Sequence, residues 1–201
     1  GDSAKAGIVS GLSREDRNII GVYPLKGKLM NVRDATTKKI NENNEIAELK
    51  KILGLETNKK YKSKEDVVKN LRYGKVLCLT DQDVDGSHIK GLCINAFDAQ
   101  WSDITKIEDF LGFMNTPILK AKKGRVEKVF YNEADYLQWK ETIGDAKGWH
   151  IKYYKGLGTS TSKEFKEYFA AKKYVTFQYA DNTCKESLDM VFNKKRADDR
   201  K

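Results

Sequence analysis

The sequence predicts an α/β fold with a mainly parallel sheet flanked by helices. Three observations lead to this prediction: strand-length apolar runs alternate with amphipathic helix-length segments, one run is apolar almost throughout, and turn residues separate them. The apolar run, KVLCLT at 75–80, is typical of a strand buried on both faces of a parallel sheet. With 201 residues, 39% of them hydrophobic, the chain is long enough for one large domain with a real core.

The elements follow in chain order. Helical spacing of apolar residues predicts helices at 2–12, 35–53, 64–71, 88–101, 134–142 and 162–172. Strand-like runs lie at 18–25, 75–80, 117–121, 126–131, 150–154 and 175–179. The two runs that flank Lys122–Arg125 predict a hairpin, and the lysine-rich segment 56–65 predicts a surface loop.

Composition narrows the class of protein. Lys and Arg number 38 against 29 Asp and Glu, and the net charge of +9 favours an anionic partner, most commonly nucleic acid, although charge also serves solubility. Cys78, Cys93 and Cys184 form no C-x-x-C pair and are expected to be buried thiols in a reducing compartment. No apolar run reaches the roughly 18 residues of a membrane span, and no signal-peptide pattern is visible. The initial Gly and the charged last residues are typical of an excised fragment.

An acidic cluster directly follows the strand predicted at 75–80. Its carboxylates are Asp81, Asp83 and Asp85, and Gly86 permits a sharp turn into the next helix. Since sites in open parallel sheets form at the carboxyl ends of strands, the three side chains are expected to converge there. Oxygen ligands without Cys or His select Mg²⁺, Mn²⁺ or Ca²⁺, and a cation would neutralise the repulsion between the carboxylates.

Two other interpretations of the acidic cluster stay open. The pattern D-x-D-x-D-G also begins a calcium-binding EF-hand loop, but that loop needs Glu at its twelfth position, where this chain has Leu92. A helix also precedes an EF-hand loop, whereas a strand pattern precedes this cluster. The cluster is compatible, too, with a solvated acidic turn that caps a helix, although three alternate aspartates exceed what a cap needs.

A basic turn is the first candidate phosphate site. Lys26, Gly27 and Lys28 end the strand predicted at 18–25, and Arg33 follows closely. A glycine between two lysines lets the backbone and the ammonium groups approach a phosphate together. An exposed basic turn without a ligand is the alternative.

A glycine-rich loop is the second candidate. The segment 154–162 (YKGLGTSTS) joins a strand to a helix and combines glycines, hydroxyls and a helix N-terminus, which together suit a phosphate. The alternative is a tight turn capped by Ser or Thr, and no Walker A pattern occurs in the chain. His88, just after the aspartates, is either a donor to a phosphate or a structural partner.

Four motifs, in order along the chain, resemble type IIA DNA topoisomerases. They are GDSAK at 1–5, YPLKGKLMNVRDA at 23–35, DQDVDGSHIKGL at 81–92 and YYKGLGTSTSKE at 153–164. The run FNKKRADDRK at 192–201 is similar to the one that leads into the winged-helix domain of that family. GSHIK after the aspartates and GTSTS after KGLG resemble the eukaryotic enzymes, whereas bacterial gyrase and its relatives differ at both places.

The resemblance covers essentially the whole chain and implies one Toprim domain over 1–201, a Rossmann-like fold with an added hairpin and helix segment. It implies a metal-binding core at about 1–121, the hairpin, helix and KGLGTS segment at about 122–180, and the start of a linker to a winged-helix domain at about 181–201.

Metal-binding and catalytic roles follow from the same resemblance. It implies two Mg²⁺ ions: one held by an acidic Glu with Asp81 and Asp83, the other by Asp83 and Asp85. The Glu of that motif immediately precedes Gly1 and is expected outside these residues. Val84 stands where eukaryotic relatives commonly have Gln, and little effect is expected because this side chain points away from the aspartates.

DNA contacts and a pocket for topoisomerase poisons are also implied. The residues expected to contact DNA are Lys26, Gly27, Lys28, Arg33, His88, Lys90, Lys155, Thr159 and Ser160. The pocket would include Gly1, Asp2 and Lys26. Many relatives have Arg at the position of Lys26, so the planar fork of a guanidinium is lost there. Phosphate contacts carry no base information, and sequence preference is expected to be weak.

Taken together, the resemblance implies part of an ATP-dependent, homodimeric, nuclear enzyme that acts on double-stranded DNA. The enzyme would break both strands of one duplex through a tyrosine nucleophile, pass another duplex through and reseal the break. None of the ten tyrosines matches the motif of that nucleophile, and ATP would bind an absent domain, so the 201 residues alone are expected to be inactive. A viral gene would place the enzyme at the site of viral DNA replication instead.

Two other functional classes stay open. A DNA- or partner-binding Toprim module of a primase or a recombination-type nuclease would share the acidic cluster, but the YKGLGTSTS motif argues against both. A catalytically idle module that only docks DNA or a partner domain would have the same charge and need not bind a metal.

Overall fold

The computed structural model describes residues 1–171, 173–179 and 182–200. The chain divides into two compact units, each built from three segments. The first unit comprises Gly1–Lys26, Leu79–Ser87 and Met114–Tyr174, and the second comprises Gly27–Cys78, His88–Phe113 and Val175–Lys201. Each unit has a buried core of its own.

The helices of the described residues are α1 (Asp2–Gly11), α2 (Asp16–Ile19), α3 (Thr37–Asn41), α4 (Asn44–Leu53), α5 (Lys64–Asn70), α6 (Val84–Gln100), α7 (Glu133–Ile143), α8 (Ser162–Ala171) and α9 (Asn182–Phe192). The strands are β1 (Val76–Cys78), β2 (Leu111–Met114), β3 (Leu119–Lys123), β4 (Val126–Phe130), β5 (His150–Tyr153) and β6 (Tyr174–Thr176). Short 3-10 turns lie at Ile104–Lys106, Leu157–Thr159, Lys194–Arg196 and Asp198–Arg200.

A small parallel sheet organises the second unit. Strands β1 and β2 run parallel, with Val76 opposite Leu111 and Cys78 opposite Phe113, in the order β1-β2-β6. An aromatic core packs around this sheet, and its most deeply buried aromatic side chains are Tyr61 and Phe110, each 1% exposed. The predicted strand is therefore present, but it is shorter than the apolar run, and its three residues are half-buried rather than buried on both faces.

An antiparallel sheet organises part of the first unit. Strand β3 lies between β4 and β5, with Leu119 opposite both Phe130 and Tyr153. The β3–β4 turn is a true hairpin, and Gly124 has a φ of 59°, which glycine adopts without strain. The aromatic side chains of α7 pack against Phe130. This sheet and α7 form the added hairpin and helix segment expected from the sequence.

Helices α1 and α8 pack closely in the first unit. A Cβ at Gly7 would lie 2.9 Å from the ring of Phe165, and a Cβ at Gly11 would lie 2.6 Å from the Phe165 side chain. Because α8 follows the glycine-rich loop, this packing holds the helix that begins with GDSA beside the end of that loop. Ser10 and Ser162 share a hydrogen bond of 2.6 Å across the same contact.

The strand predicted at 18–25 is wrong. The Ser13 hydroxyl accepts from the Asp16 amide at 3.0 Å and the Ser13 amide donates to the Asp16 carboxylate, a reciprocal cap that starts α2. Helix α2 takes up the first residues of the β-branched run, and residues 20–25 form neither helix nor strand.

Other differences also arise at helix caps. The single helix predicted at 35–53 is two helices, because the Asn43 side chain accepts from the Ile46 amide and starts α4 anew. Helix α6 begins at Val84 rather than at residue 88, because Asp83 of the acidic cluster caps it.

Strand β2 and helix α9 were not predicted. The helix predicted at 162–172 is confirmed as α8, with Lys172 outside the described residues.

The α/β class is confirmed by these elements. The three cysteines are free thiols; Cys93 is buried as expected, whereas Cys78 and Cys184 are only half-buried. Among the described residues, none of the helices combines the length and the hydropathy of a membrane span.

Candidate metal centre and its supporting loops

The acidic cluster begins a helix. One carboxylate oxygen of Asp83 accepts a hydrogen bond from the Gly86 amide at 2.6 Å. The backbone carbonyl of Asp83 accepts one from the Ser87 amide at 3.0 Å, so Asp83 caps α6. A Cβ at Gly86 would overlap the Asp81 carbonyl oxygen. The glycine is thus required by close approach of the backbone, and the capping role considered as an alternative is present beside any other role.

Asp81 is held by the glycine-rich loop. Its Oδ1 accepts from the Leu157 amide at 2.7 Å, although the two residues are 76 positions apart. A Cβ at Gly156 would lie 2.9 to 3.1 Å from the carboxylate atoms of Asp81, so a side chain there would push the carboxylate away. The acidic cluster and the glycine-rich loop both belong to the first unit, and the backbone of the glycine-rich loop fixes the orientation of the Asp81 carboxylate. The sequence predictions did not include Gly156 or Leu157 as site residues.

The chemistry of the donors suits a hard divalent cation. Asp81, Asp83 and Asp85 are exposed, and the second carboxylate oxygens of Asp81 and Asp83 have no hydrogen-bond or ion-pair partner within the described ranges. Next to them, Thr80 Oγ1 and Gln82 Nε2 are buried without a hydrogen bond. Open carboxylate oxygens are the ligands that a hard cation such as Mg²⁺ takes, and Thr80 Oγ1 could join them, whereas Gln82 Nε2 is a donor and could not.

The expected convergence of all three aspartates is not present in this structure. Across the part of the chain that the structure describes, no three His, Cys, Asp or Glu side chains gather closely enough to hold a metal ion. The reason is local: α6 starts at Val84, so Asp85 lies in the first helical turn and the alternation of a strand is lost. In this structure the acidic cluster has open carboxylate oxygens on Asp81 and Asp83.

A buried carboxylate lies beneath the glycine-rich loop. Glu164 is 7% exposed, and its Oε1 accepts from Lys152 Nζ at 2.7 Å and from the Thr161 amide at 3.0 Å. Its Oε2 accepts from the Tyr154 hydroxyl and lies 3.5 Å from Lys120 Nζ. Burial alone would raise the pKa of Glu164, but the hydrogen bonds from Lys152, Tyr154 and Thr161 lower it to about 2.

The same network also shifts the pKa of its tyrosine member, Tyr154. Burial, followed by the hydrogen bond to Glu164, raises the pKa of Tyr154 well above its usual range. The Thr161 hydroxyl accepts from the Glu164 amide at 3.2 Å, which completes a capping box at the start of α8. The spacing T-S-K-E at 161–164 was the sequence signal for this box and was missed.

The hydroxyls of the glycine-rich loop are partly used within the protein. Thr159 donates to the Gly156 carbonyl at 2.7 Å, and Ser160 shares a hydrogen bond of 2.9 Å with Tyr168. Lys155 is exposed. Thr159 is exposed as well, whereas Ser160 is half-buried, so Lys155 and Thr159 are the more accessible of the three loop residues expected to contact DNA.

The expected basic contacts differ in their surroundings. Lys26, Gly27 and Lys28 are exposed, as are Gly1 and Asp2 of the expected poison pocket. His88 is also exposed. Lys90 is half-buried, with its Nζ 5.9 Å from the centre of the Phe113 ring.

Arg33 is bound within the second unit. Its guanidinium donates to Asn95 at 2.8 Å and to Asp98 at 3.1 Å, and it lies 3.8 Å from Asp189. The side chain is only 13% exposed. These partners saturate much of the guanidinium, so Arg33 is a structural cation here, and we leave it out of the DNA contacts proposed below.

Two family models match the chain, and their ranges overlap. The Toprim domain family matches residues 1–127, and the C-terminal associated domain of Toprim matches residues 114–201. Similar proteins include DNA topoisomerase 2 of Plasmodium falciparum, 49% identical over 203 residues, DNA topoisomerase 2-alpha of Rattus norvegicus, 48% identical over 206, and DNA topoisomerase 2-beta of Homo sapiens, 49% identical over 203. Each alignment covers 100% of this chain and 14%, 13% and 12% of the relative, respectively.

A solved structure shows the same fold. The crystal structure of the Plasmodium falciparum topoisomerase II DNA-binding, cleavage and re-ligation domain superposes with a TM-score of 0.91 at 48% identity. The match covers 100% of this chain and 27% of that chain. The chain therefore belongs to the Toprim domain family and is related, over its whole length, to the DNA topoisomerase 2 enzymes of eukaryotes.

Proposed function

We propose that this chain is the magnesium-binding Toprim part of an ATP-dependent type II DNA topoisomerase. The observation that carries the proposal is the Asp81 carboxylate, which one backbone amide holds at Oδ1 while Oδ2 stays open, two positions before Asp83, whose second oxygen is also open. Exposed carboxylates with one backbone donor also occur elsewhere, as at Asp145, so the support for a site comes from two such carboxylates two positions apart, one of them held by a loop 76 positions away. The relationship to DNA topoisomerase 2 supplies the reaction class.

The residues present suggest how a cation would be held. Asp81, Asp83 and Asp85 would supply its protein ligands, with Asp83 shared between two ions and a further Glu expected outside these residues. When bound, Mg²⁺ supplies positive charge next to phosphate oxygens. The Leu157 amide holds the orientation of the Asp81 carboxylate, and the hydrogen bond that caps α6 holds that of Asp83. The chain's own contribution is thus to hold charge in place rather than to move protons.

DNA would bind through phosphate contacts. Lys26, Lys28 and Lys155 are exposed cations in loops with glycines, and Gly27 lets the backbone come close to a phosphate. His88 and Lys90 on α6, with the hydroxyls of Thr159 and Ser160, complete the proposed set. Such contacts bind the duplex without reading its bases. The pocket for poisons proposed at Gly1, Asp2 and Lys26 would have an ammonium where a guanidinium is common.

The rest of the activity is assigned to the whole enzyme. The chain spans only 12% to 14% of the length of the curated relatives it matches. We therefore propose that double-strand cleavage, passage of a second duplex and religation require the full-length, homodimeric gene product, with ATP bound by another domain. The proposed location is the nucleus. Purified alone, the 201 residues should neither cleave nor relax plasmid DNA.

The test is a matched pair of charge-removing variants in the full-length gene product. Asp81→Asn keeps an oxygen that accepts from Leu157 but removes the charge, and Asp145→Asn makes the same change in an exposed loop. With supercoiled plasmid, Mg²⁺ and ATP, the wild type and Asp145→Asn should relax DNA, whereas Asp81→Asn should not. Normal relaxation by Asp81→Asn, or none by the wild type, would refute the proposal.

A further inference from the structure

Glu164 lies outside the acidic cluster and makes an unusual number of contacts for one carboxylate. Two donors reach each of its oxygens: Lys152 and the Thr161 amide reach Oε1, while Tyr154 and Lys120 reach Oε2. A buried charge is tolerated only when it is paired and hydrogen-bonded to this extent. The arrangement has to be kept in order to avoid an unpaired buried charge, so it restrains every element that supplies a donor.

The donors come from both ends of the glycine-rich loop. Lys152 lies in β5 and Tyr154 follows it at the start of the loop, whereas Thr161 lies near the end of the loop, directly before α8. Lys120 adds the central strand β3. One carboxylate therefore fastens the entry and the exit of residues 155–160 to the same point.

The interior of that loop is what holds Asp81. The Leu157 amide donates to Asp81 at 2.7 Å, and Gly156 leaves so little room that a Cβ would be 2.9 Å from the carboxylate. A shift of the loop by a few tenths of an ångström would lengthen this hydrogen bond or crowd the carboxylate. The position of this backbone therefore limits where the Asp81 carboxylate can lie.

We propose that Glu164 is a positioning residue that sets the place of the Gly156–Leu157 backbone and, through it, the aim of the Asp81 carboxylate. The proposal rests on the proposed function for its consequence, which is cation binding at Asp81. The positioning itself is a statement about the Leu157 amide. Glu164 is therefore expected to affect the metal site from below the loop, without being a ligand.

The experiment measures hydrogen exchange of single amides by NMR in the 201-residue chain, followed by a Mg²⁺ titration. Glu164→Gln keeps the size of the side chain but loses the charge that faces two lysines. Glu167→Gln makes the same change on the same helix, where the carboxylate is 49% exposed and 3.8 Å from Lys120. Tyr154→Phe removes a single donor and retains the ring, in case Glu164→Gln fails to fold.

Exchange of the Leu157 amide should be about tenfold faster in Glu164→Gln, because a hydrogen bond that depends on the network is lost. A smaller increase, about threefold, is expected in Tyr154→Phe, and none in Glu167→Gln. Exchange of the Tyr168 amide within α8 should stay unchanged, which separates loop positioning from loss of the helix. Unchanged Leu157 exchange in both Glu164→Gln and Tyr154→Phe would overturn the proposal.

The Mg²⁺ titration separates this proposal from the proposed function. If the wild type binds Mg²⁺, Glu164→Gln should bind it several-fold more weakly, and equal affinity would overturn the link to Asp81. If the wild type binds no Mg²⁺, the proposed function fails, and the positioning claim stands or falls on Leu157 exchange alone.

Discussion

Two kinds of carboxylate lie in the first unit, and the difference between them is the number of donors they meet. The carboxylates of Asp81 and Asp83 each accept a hydrogen bond from one backbone amide, and each keeps a second oxygen that is open and exposed. Glu164 is buried, and two donors meet each of its oxygens. The bonding capacity of Glu164 is used within the protein, whereas the second oxygens of Asp81 and Asp83 are available to water or to a ligand.

The same contrast separates the basic residues. Arg33 is surrounded by Asn95, Asp98 and Asp189, whereas Lys26 is exposed. Residue type alone gave Arg33 and Lys26 the same expected role, DNA binding. Their surroundings differ, so we propose a DNA contact for Lys26 and not for Arg33.

The largest expected effect is on stability. Glu164→Ala removes the counter-charge of Lys152 and one of three carboxylates around Lys120, and the free energy of unfolding should fall by about 3 kcal/mol. Urea denaturation of the chain measures it. The control Glu167→Ala should stay within about 0.5 kcal/mol of the wild type. Equal losses in the two variants would remove the contrast between saturated and exposed carboxylates.

The second effect is on cleavage by the full-length gene product. Asp83→Asn still caps α6, since Asn is as good a cap as Asp, but it loses the charge that would hold a cation. The yield of Mg²⁺-dependent cleavage complex should drop by about a hundredfold or more, while the melting temperature hardly changes. Asp85→Asn should do less damage, because only one of the two proposed ions would touch it.

Asp83→Ala sharpens the same test, because it removes the cap as well and should cost about 1 kcal/mol of stability. If Asp83→Asn cleaves normally, or fails only because it is unfolded, Asp83 belongs with Glu164 among the structural carboxylates.

The third effect is a pH dependence. The pKa of Glu164 is lowered from 4.5 to about 2 in the folded protein, so its contribution to stability is complete above pH 4.5 and is lost as the pH falls towards 2. The loss should be on the order of 2 kcal/mol, because water partly screens Lys152. Unfolding free energies from pH 6 to pH 2.5 should therefore fall less in Glu164→Gln than in the control Glu167→Gln. Parallel curves would show that Glu164 is not a strongly paired carboxylate.

The smallest effect is on DNA binding by the chain. If Lys28 contacts a phosphate, Lys28→Gln should reduce the slope of log affinity against log salt by about one unit. Arg33→Gln should leave the slope unchanged and instead lower stability, because Asp98 loses its partner. Fluorescence anisotropy with a labelled duplex measures the slope. A reduced slope in Arg33→Gln would return that residue to the DNA contacts.

Local patterns in the sequence were enough for much of the fold. Apolar spacing predicted α1, α5, α7 and α8, and the KKGR turn predicted the β3–β4 hairpin. The errors arose where side chains cap the backbone: Ser13 with Asp16 replaced a strand by a helix, and Asn43 divided another helix. Capping competes with periodicity over three residues, a shorter range than a periodic pattern.

The candidate site was predictable in its residues but not in its geometry. The aspartates and the KGLG loop were each recognised, but their contact through Asp81 and Leu157 links positions 76 apart and leaves no local pattern. The burial of Arg33 likewise depends on side chains far away in the chain. Glu164 did have a local signal, the capping box at 161–164, which indicates a cap but not the lysines that meet it.

We propose that the open oxygen of Asp81, held by Leu157, belongs to a magnesium site. Calorimetric titration of the 201-residue chain with Mg²⁺, for the wild type, Asp81→Asn and Asp145→Asn, tests this proposal. The wild type and Asp145→Asn should bind with equal affinity, and Asp81→Asn should lose binding while keeping its melting temperature. Equal binding by Asp81→Asn, or no binding by the wild type, would contradict it.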